Sequence, residues 1–412
     1  LVLLIRSGEA EELMATVDGS ALTDSDYADL ITIRFANLLW PMADAVASAA
    51  VIRQLSAEPG PSTRAAVGVA GAVQLAFTAQ PRKALAALTT VDPEVQGDLQ
   101  TAYRCWAETL ALGDLGRTAA ALDSARRGFA IGQRSEKAAY QGVGLAEFAV
   151  SGCLHAGHVG EALRLADEIS RRCTDVPGII PAVAAAITGM AELGASRVDV
   201  ACERLSAALE VFERLGDTSG LIYRYRIVLA EALARRGDVA AAQDAERAML
   251  RAHHPSFGFV DVDALLARAW VAAASGDPRR ALDLSAGAVS TAARSGQIAR
   301  EVVALQTAVG MGATGCASRL AELSGIAEGP RVASALRYAE ALERGDGERL
   351  LDVSREFEAF GDLLTAADAA ALAARTFQVL GRRNDALDAN ERVGRLLRVT
   401  GASIPAMRAD LT

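Results

Sequence analysis

The sequence predicts an all-α fold, with about eleven helical hairpins stacked into one superhelical array, an α-solenoid. Three observations predict it. A glycine-centred turn between two Ala-rich stretches recurs along the chain, and its spacing drifts around one value. No run of alternating β-branched residues bounded by hairpin turns interrupts the pattern.

The turn is most legible in "AWVAAASGDPRRALDLSAGAVSTAARSG", from Ala269 to Gly296. Gly276 suits the left-handed conformation that closes a helix. Asp277 suits the cap of the next helix and Pro278 its first position, where no backbone donor is needed. The same chemistry returns at Gly157, Gly237, Gly345 and Gly381, with Ala162, Ala242, Leu350 and Ala386 occupying the place of Ala281. Weaker forms centre on Gly8, Gly116, Gly194 and Gly315, and proline turns stand at Pro41 and Pro81. From Gly116 onward the turns recur every ~38 residues, the period of stacked helical hairpins. A longer echo, Phe-Glu-x-x-Gly-Asp, begins at Phe212 and again at Phe357. One hairpin buries a single face and is marginal alone, whereas stacking covers each face with its neighbour. Alanine lets the axes approach closely, and Leu and Val at i, i+3, i+4 supply most of the buried area.

Composition narrows the function. Of the 412 residues 51% are hydrophobic, which excludes global disorder. The net charge of −9 argues against direct nucleic-acid binding by this chain. The cysteines (Cys105, Cys153, Cys173, Cys202 and Cys316) are scattered and odd in number, as expected in a reducing, cytoplasmic setting. The longest uncharged run, Val176 to Ala191, is short for a membrane span and carries two prolines near its start, so a buried helix is expected there. The start, LVLLIRSGEAEEL, reads as the interior of a longer chain.

The Gly-Asp-x-x-x-Ala-Leu turn, with Ala230 and Ala269 seven residues before the glycine, resembles the tetratricopeptide repeat (TPR), although the intervals exceed that family's usual ~34 residues. From about Val260 to Leu397 the resemblance is closer. The segments "ALLARAWVAAASGDPRRALDLSAGAVSTAARSGQ" and "FEAFGDLLTAADAAALAARTFQVLGRRNDALDANERVGRLL" resemble the helical region of large actinobacterial LuxR-type, MalT-like regulators of the STAND class. Those join an N-terminal ATPase, a TPR-like superhelix and a C-terminal helix-turn-helix. The resemblance implies that this chain is the sensor part, 1–412 as one superhelix. Residues 1–99 would be N-terminal repeats, 100–276 central repeats with the ligand groove, and 277–412 C-terminal repeats. It implies a small-molecule inducer, contacts with the regulator's own ATPase and DNA-binding domains, and self-association on activation. ATP belongs to the ATPase: a phosphate loop needs Gly-Lys, but Lys83 follows Arg82 and Lys137 follows Glu136, so no cofactor is expected here.

Chemistry-bearing motifs are sparse. Cys153, His155 and His158 form C-x-H-x-x-H, but His158 occupies a helix start and Cys153 a packing face, which disfavours a metal. His253 and His254 sit in a loop, and Asp261 with Asp263 at a helix start favours the macrodipole. No G-x-S-x-G or H-E-x-x-H occurs, so no enzymatic activity is expected. The TPR resemblance implies that the first helix of each hairpin lines the concave side. Its offsets select Tyr103 and Trp106; Glu147, Ser151 and His155; Thr188; Arg224, Glu231 and Arg235; and Asp263 with Trp270. Aromatic rings beside Arg and carboxylates suit a sugar or another polar small molecule. Two other readings stand beside it: the aromatics are core, or the groove takes a peptide or partner domain through Arg224 and Arg235.

Overall fold

A computed structural model describes residues 7–42, 44–53, 59–216 and 220–403. Among these, every long element is a helix. Helix α1 (Ser7–Ala15) precedes ten hairpins. The first five pair α2 (Asp24–Leu39) with α3 (Ala45–Arg53), α4 (Pro61–Phe77) with α5 (Pro81–Leu88), α6 (Asp98–Asp114) with α7 (Thr118–Arg134), α8 (Gln141–Ala156) with α9 (Val159–Cys173), and α10 (Ile180–Gly194) with α11 (Val198–Leu215). The next five pair α12 (Leu221–Arg236) with α13 (Val239–Arg251), α14 (Asp261–Ala274) with α15 (Pro278–Ser295), α16 (Ile298–Gly310) with α17 (Ala317–Ser324), α18 (Pro330–Arg344) with α19 (Gly347–Ala359), and α20 (Leu363–Val379) with α21 (Arg383–Thr400). Gly8, expected to centre an eleventh turn, lies inside α1, and the residues before Ser7 fall outside the described ones.

The turns form as their chemistry dictates. Gly157, Gly237, Gly276, Gly345 and Gly381 all take positive φ, and Asp277 accepts a hydrogen bond from the Arg280 amide at 3.0 Å. Two turns shift from the expected centres. Ser196, not Gly194, carries the positive φ in the fifth hairpin, and Gly312 joins Gly315 in the eighth. The first helices of the hairpins form the inner layer. In α20 every residue from Leu364 to Ala374 is buried, which its Ala-rich sequence permits. Outer helices bury one stripe only: in α9 it is Val159, Ala162, Ala166, Ile169 and Cys173.

The array coils tightly enough to touch itself, and the contact is regular. The turns of the second to fifth hairpins each meet the start of the hairpin five places later. In the second hairpin, Thr78 abuts Gly258, just ahead of α14. In the third, Asp114 bonds Gln297 and Arg300 of α16. In the fourth, the Leu154 carbonyl accepts two bonds from the Arg331 guanidinium of α18, at 3.0 and 3.1 Å. In the fifth, the Ser196 hydroxyl accepts from the Leu364 amide of α20. In the sixth, the carbonyls of Arg235 and Arg236 accept from Ser403, beyond α21. The first hairpin departs from this register: the carbonyls of Leu39 and Trp40 bond Ser256 and His254, in the loop before the seventh hairpin.

Most of these acceptors are last-turn carbonyls of inner helices, which have no partner within their own helix. One superhelical turn therefore supplies the donors that the previous turn lacks. Two large apolar cores result, one from Phe35 to Val271 joined by Leu364 and one mainly from Ile298 to Leu396 joined by Leu115, with smaller clusters beside them.

Closeness at this seam has a sharp test. Gly329 has φ +95°, and a Cβ there would collide with the Ala156 carbonyl oxygen. Gly329→Ala is expected to cost ~2–3 kcal/mol in urea unfolding and to enlarge the radius of gyration by X-ray scattering. Gly287→Ala, a helical site with open space around it, is expected to be neutral or to stabilise by up to ~1 kcal/mol.

Candidate ligand site between superhelical turns

A cavity of about 200 Å³ lies where the two superhelical turns face each other. Helices α8, α10, α12 and α14 wall it on one side, and α16, α18 and the start of α20 on the other. The stripes that reach it follow helical spacing. Glu147, Ser151 and His155 stand at i, i+4, i+8 on α8, and Ile227, Glu231 and Arg235 do the same on α12. Helix α14 adds Asp263, Leu266 and Trp270, while Met190 and Leu193 of α10 and Val303 of α16 supply an apolar part.

Four arginines organise the charge, and each is engaged. Arg300, 1% exposed, pairs with Asp114 at 2.8 Å and with Oδ2 of Asp263. Arg331 pairs with Asp362 at 2.7 Å and donates to Gln306 Oε1 at 2.9 Å. Arg235 pairs with Asp368 at 2.8 Å, and its guanidinium lies 3.8 Å from the Trp270 ring centroid. Arg224, just behind the wall, grips both Glu147 oxygens at 2.8 and 3.0 Å.

Glu231 is different. It lines the cavity and makes no hydrogen bond or ion pair with the described residues. Burial pushes its carboxyl up to about 7; Asp263 and Asp362 add to the rise, while Arg235 and Arg331 oppose it. Burial also raises Asp263 despite Arg300. At Asp362 burial is outweighed by Arg331 and the Thr365 amide, which hold it below the usual carboxylate range. His155 is held well below its ordinary value, by burial and then by the charges of Arg300 and Arg331. It is therefore neutral at pH 7, with Nε2 at 3.9 Å from Asp263 Oδ1.

Seven of the eleven residues selected from the sequence thus share one cavity: Glu147, Ser151, His155, Glu231, Arg235, Asp263 and Trp270. Arg224 stands behind Glu147. Tyr103 and Trp106 are elsewhere, in an aromatic cluster with Trp40, Phe77 and Phe148, where the Trp106 Nε1 donates to the Gln141 carbonyl at 2.8 Å. Their rings complete the core of the early hairpins rather than a groove. Thr188 caps no ligand space; its hydroxyl turns back onto the Ala184 carbonyl. The C-x-H-x-x-H residues diverge, since Cys153 is fully buried, His155 faces the cavity and His158 lines a separate outer cleft.

The hairpin offsets missed Arg300, Gln306, Arg331, Asp362 and Thr365, because these reach the cavity from the following superhelical turn. One signal was present. Arg300 and Arg331 stand in the first turns of their helices, where the macrodipole disfavours a cation unless a carboxylate or a carbonyl compensates it.

No protein-family model matches the chain, and no curated protein matches it in sequence. A solved Rap protein, complexed with Competence and Sporulation Factor, is similar in structure, with a TM-score of 0.58 and 14% sequence identity over 82% of this chain and 98% of that one. At that identity the likeness is one of fold. The chain is a TPR-like α-solenoid. No helix among its described residues is long and apolar enough to cross a membrane.

Two outcomes follow from the site's electrostatics. The folded Glu231 carboxyl keeps its proton to about pH 7, against 4.5 when unfolded, so its contribution to stability falls as pH rises through that window and is flat above it. Glu231→Gln is expected to remove that slope and to stabilise the solenoid by roughly 1–3 kcal/mol at pH 8, read from denaturation midpoints between pH 5 and 8. Arg300→Met leaves the buried Asp114 carboxylate with only the Gln297 amide and the half-buried Asp263 without an ion pair. It is expected to cost about 3–5 kcal/mol, most of it recovered when both aspartates are also replaced by Asn.

Proposed function

We propose that this solenoid is a ligand-sensing regulatory module whose inducer, a small polar molecule, sits in the cavity between superhelical turns. One observation carries the reading: the cavity walls belong to two different turns of the superhelix. Occupancy therefore has a direct effect on how tightly the turns close, which is the differential affinity a sensor needs. A cavity of roughly 150 Å³ accepts a benzene ring, so about 200 Å³ suits a molecule the size of a single sugar ring. Partial enclosure, charged walls and an apolar patch favour a small molecule over a protein segment.

The resemblance of the region from Val260 to Leu397 to LuxR-type, MalT-like regulators supports placing the module between an ATPase, which would carry the ATP, and a DNA-binding domain. Closing or loosening the superhelix would then be the signal passed to both. Binding, not catalysis, is the proposed role.

A second reading is a scaffold for a peptide or a partner domain. The Rap protein of similar fold was solved with a bound factor, and an open cleft of about 1020 Å³ lies beside His158, Val200 and Val399, where the turns of the fourth and fifth hairpins meet the ninth and tenth. That cleft, rather than the interior, is where a polypeptide would fit.

Native mass spectrometry of the purified chain, before and after denaturation, separates the two. The sensor reading expects a retained compound of metabolite mass, or a thermal shift with a polar metabolite, abolished by Ser151→Phe, which fills the cavity. An empty chain that no metabolite shifts, and in which Ser151→Phe changes only stability, would overturn it in favour of the scaffold.

A further inference from the structure

Resting on the cavity as a ligand site, we infer that its ligand is a small amine, bound as an ammonium ion whose N–H groups are held by Glu231. The argument is one of elimination among the charges. Arg224, Arg235, Arg300 and Arg331 are each paired with a carboxylate, so an anionic ligand would have to compete for a committed cation; the one donor of Arg235 without an acceptor, Nε, is itself buried. His155 is neutral and cannot supply one. Carboxylates outnumber the guanidiniums: Asp263 shares Arg300 with Asp114, and Glu231 has no partner.

The acceptors left over point to the same chemistry. Arg300 takes Oδ2 of Asp263 and leaves Oδ1 facing His155. The Ser151 hydroxyl, on the same wall, has no hydrogen-bond partner among the described residues. The cavity therefore offers lone pairs that no protein donor meets and, above about pH 7, a negative charge on Glu231 that Arg235 and Arg331 offset only in part. A buried charge of that kind is costly until it is paired. A quaternary ammonium fits less well than one bearing N–H donors, because the Trp270 ring is already occupied by the Arg235 guanidinium and cannot serve as a cation cage. The body of the amine would rest on Met190, Leu266 and Val303.

Binding should be linked to pH. Glu231 faces Arg235 on its own helix, Asp263 from α14, Arg331 from α18 and Asp362 from α20, with Glu147 and His155 on α8 and Arg300 on α16 completing the walls. Below about pH 7 the ammonium must displace the proton that burial keeps on Glu231, so affinity rises with pH up to that point and then levels.

The test uses two matched series differing in charge, D-glucosamine, D-glucose and D-glucuronate, then cyclohexylamine, cyclohexanol and cyclohexanecarboxylate, titrated calorimetrically into the full chain. The amine of at least one series is expected to bind at least tenfold more tightly than its neutral partner, and the anion not to bind. Glu231→Gln should weaken the amine tenfold or more while leaving circular dichroism unchanged. For cyclohexylamine, which is an ammonium ion at both pH values, proton release measured in buffers of different ionisation enthalpy should appear at pH 6 and vanish at pH 8. Neutral members binding as well as amines, or undiminished affinity in Glu231→Gln, would overturn the amine and leave the ligand cavity standing. If none of the six binds, the charge of any compound retained in native mass spectrometry decides: a cation supports the inference and a neutral or anionic compound refutes it. No binding and no retained compound would overturn both the amine and the cavity reading beneath it.

Discussion

Everything distinctive in this molecule depends on one contact: the end of an inner helix against the start of another, five hairpins later. Stacked hairpins alone would make an open ramp with exposed helix-end carbonyls along its inner edge. Here those carbonyls are bonded by Arg331, Ser403, Ser256 and His254 of the following turn. The arrangement obeys helix electrostatics, since a guanidinium at the C-terminal end of α8 meets the negative pole of that helix. In the other direction Glu328 accepts a bond from the Ala119 amide, in the first turn of α7, where an anion is favoured.

The same contact explains why so much charge is buried in an Ala-rich protein. The two large apolar cores meet across the seam only through single side chains, Leu364 in the first and Leu115 in the second, and helix ends with polar groups lie between them. Buried arginines fill the gap, each long enough to satisfy a carboxylate and a carbonyl or a ring at once, as Arg331 and Arg235 do. Such pairs add little net stability over apolar packing but penalise any other register heavily, since a slip would strand a buried charge. The seam thus fixes the pitch of the superhelix more than it strengthens it.

The fold was legible because its determinants are local. A left-handed glycine, a capping Asp and a proline specify each turn within a few residues, and the period of the turns specifies the stack. The candidate site was legible only by halves. Glu147, Ser151, His155, Glu231, Asp263 and Trp270 share helical stripes that a within-hairpin offset can find. Arg300, Arg331 and Asp362 arrive from sequence positions far away, and no hairpin-scale rule encodes a pitch of five hairpins. Tyr103 and Trp106 stand at offsets like those of the cavity residues yet pack against Trp40 and Phe77. There the aromatic content of the early hairpins fills the interior that the later hairpins leave open around α12 and α14.

An interior that is closed by charge can also be opened by charge. Glu231 faces the cavity without a hydrogen-bond partner, and burial penalises its ionised form, so the cost of keeping it there grows as pH rises towards about 7. A bound cation would remove it, whereas a ligand without positive charge would leave it in place. On the proposed ligand reading, the carboxylate that lacks the partner each of its neighbours possesses is the group through which a bound cation would act on the superhelix.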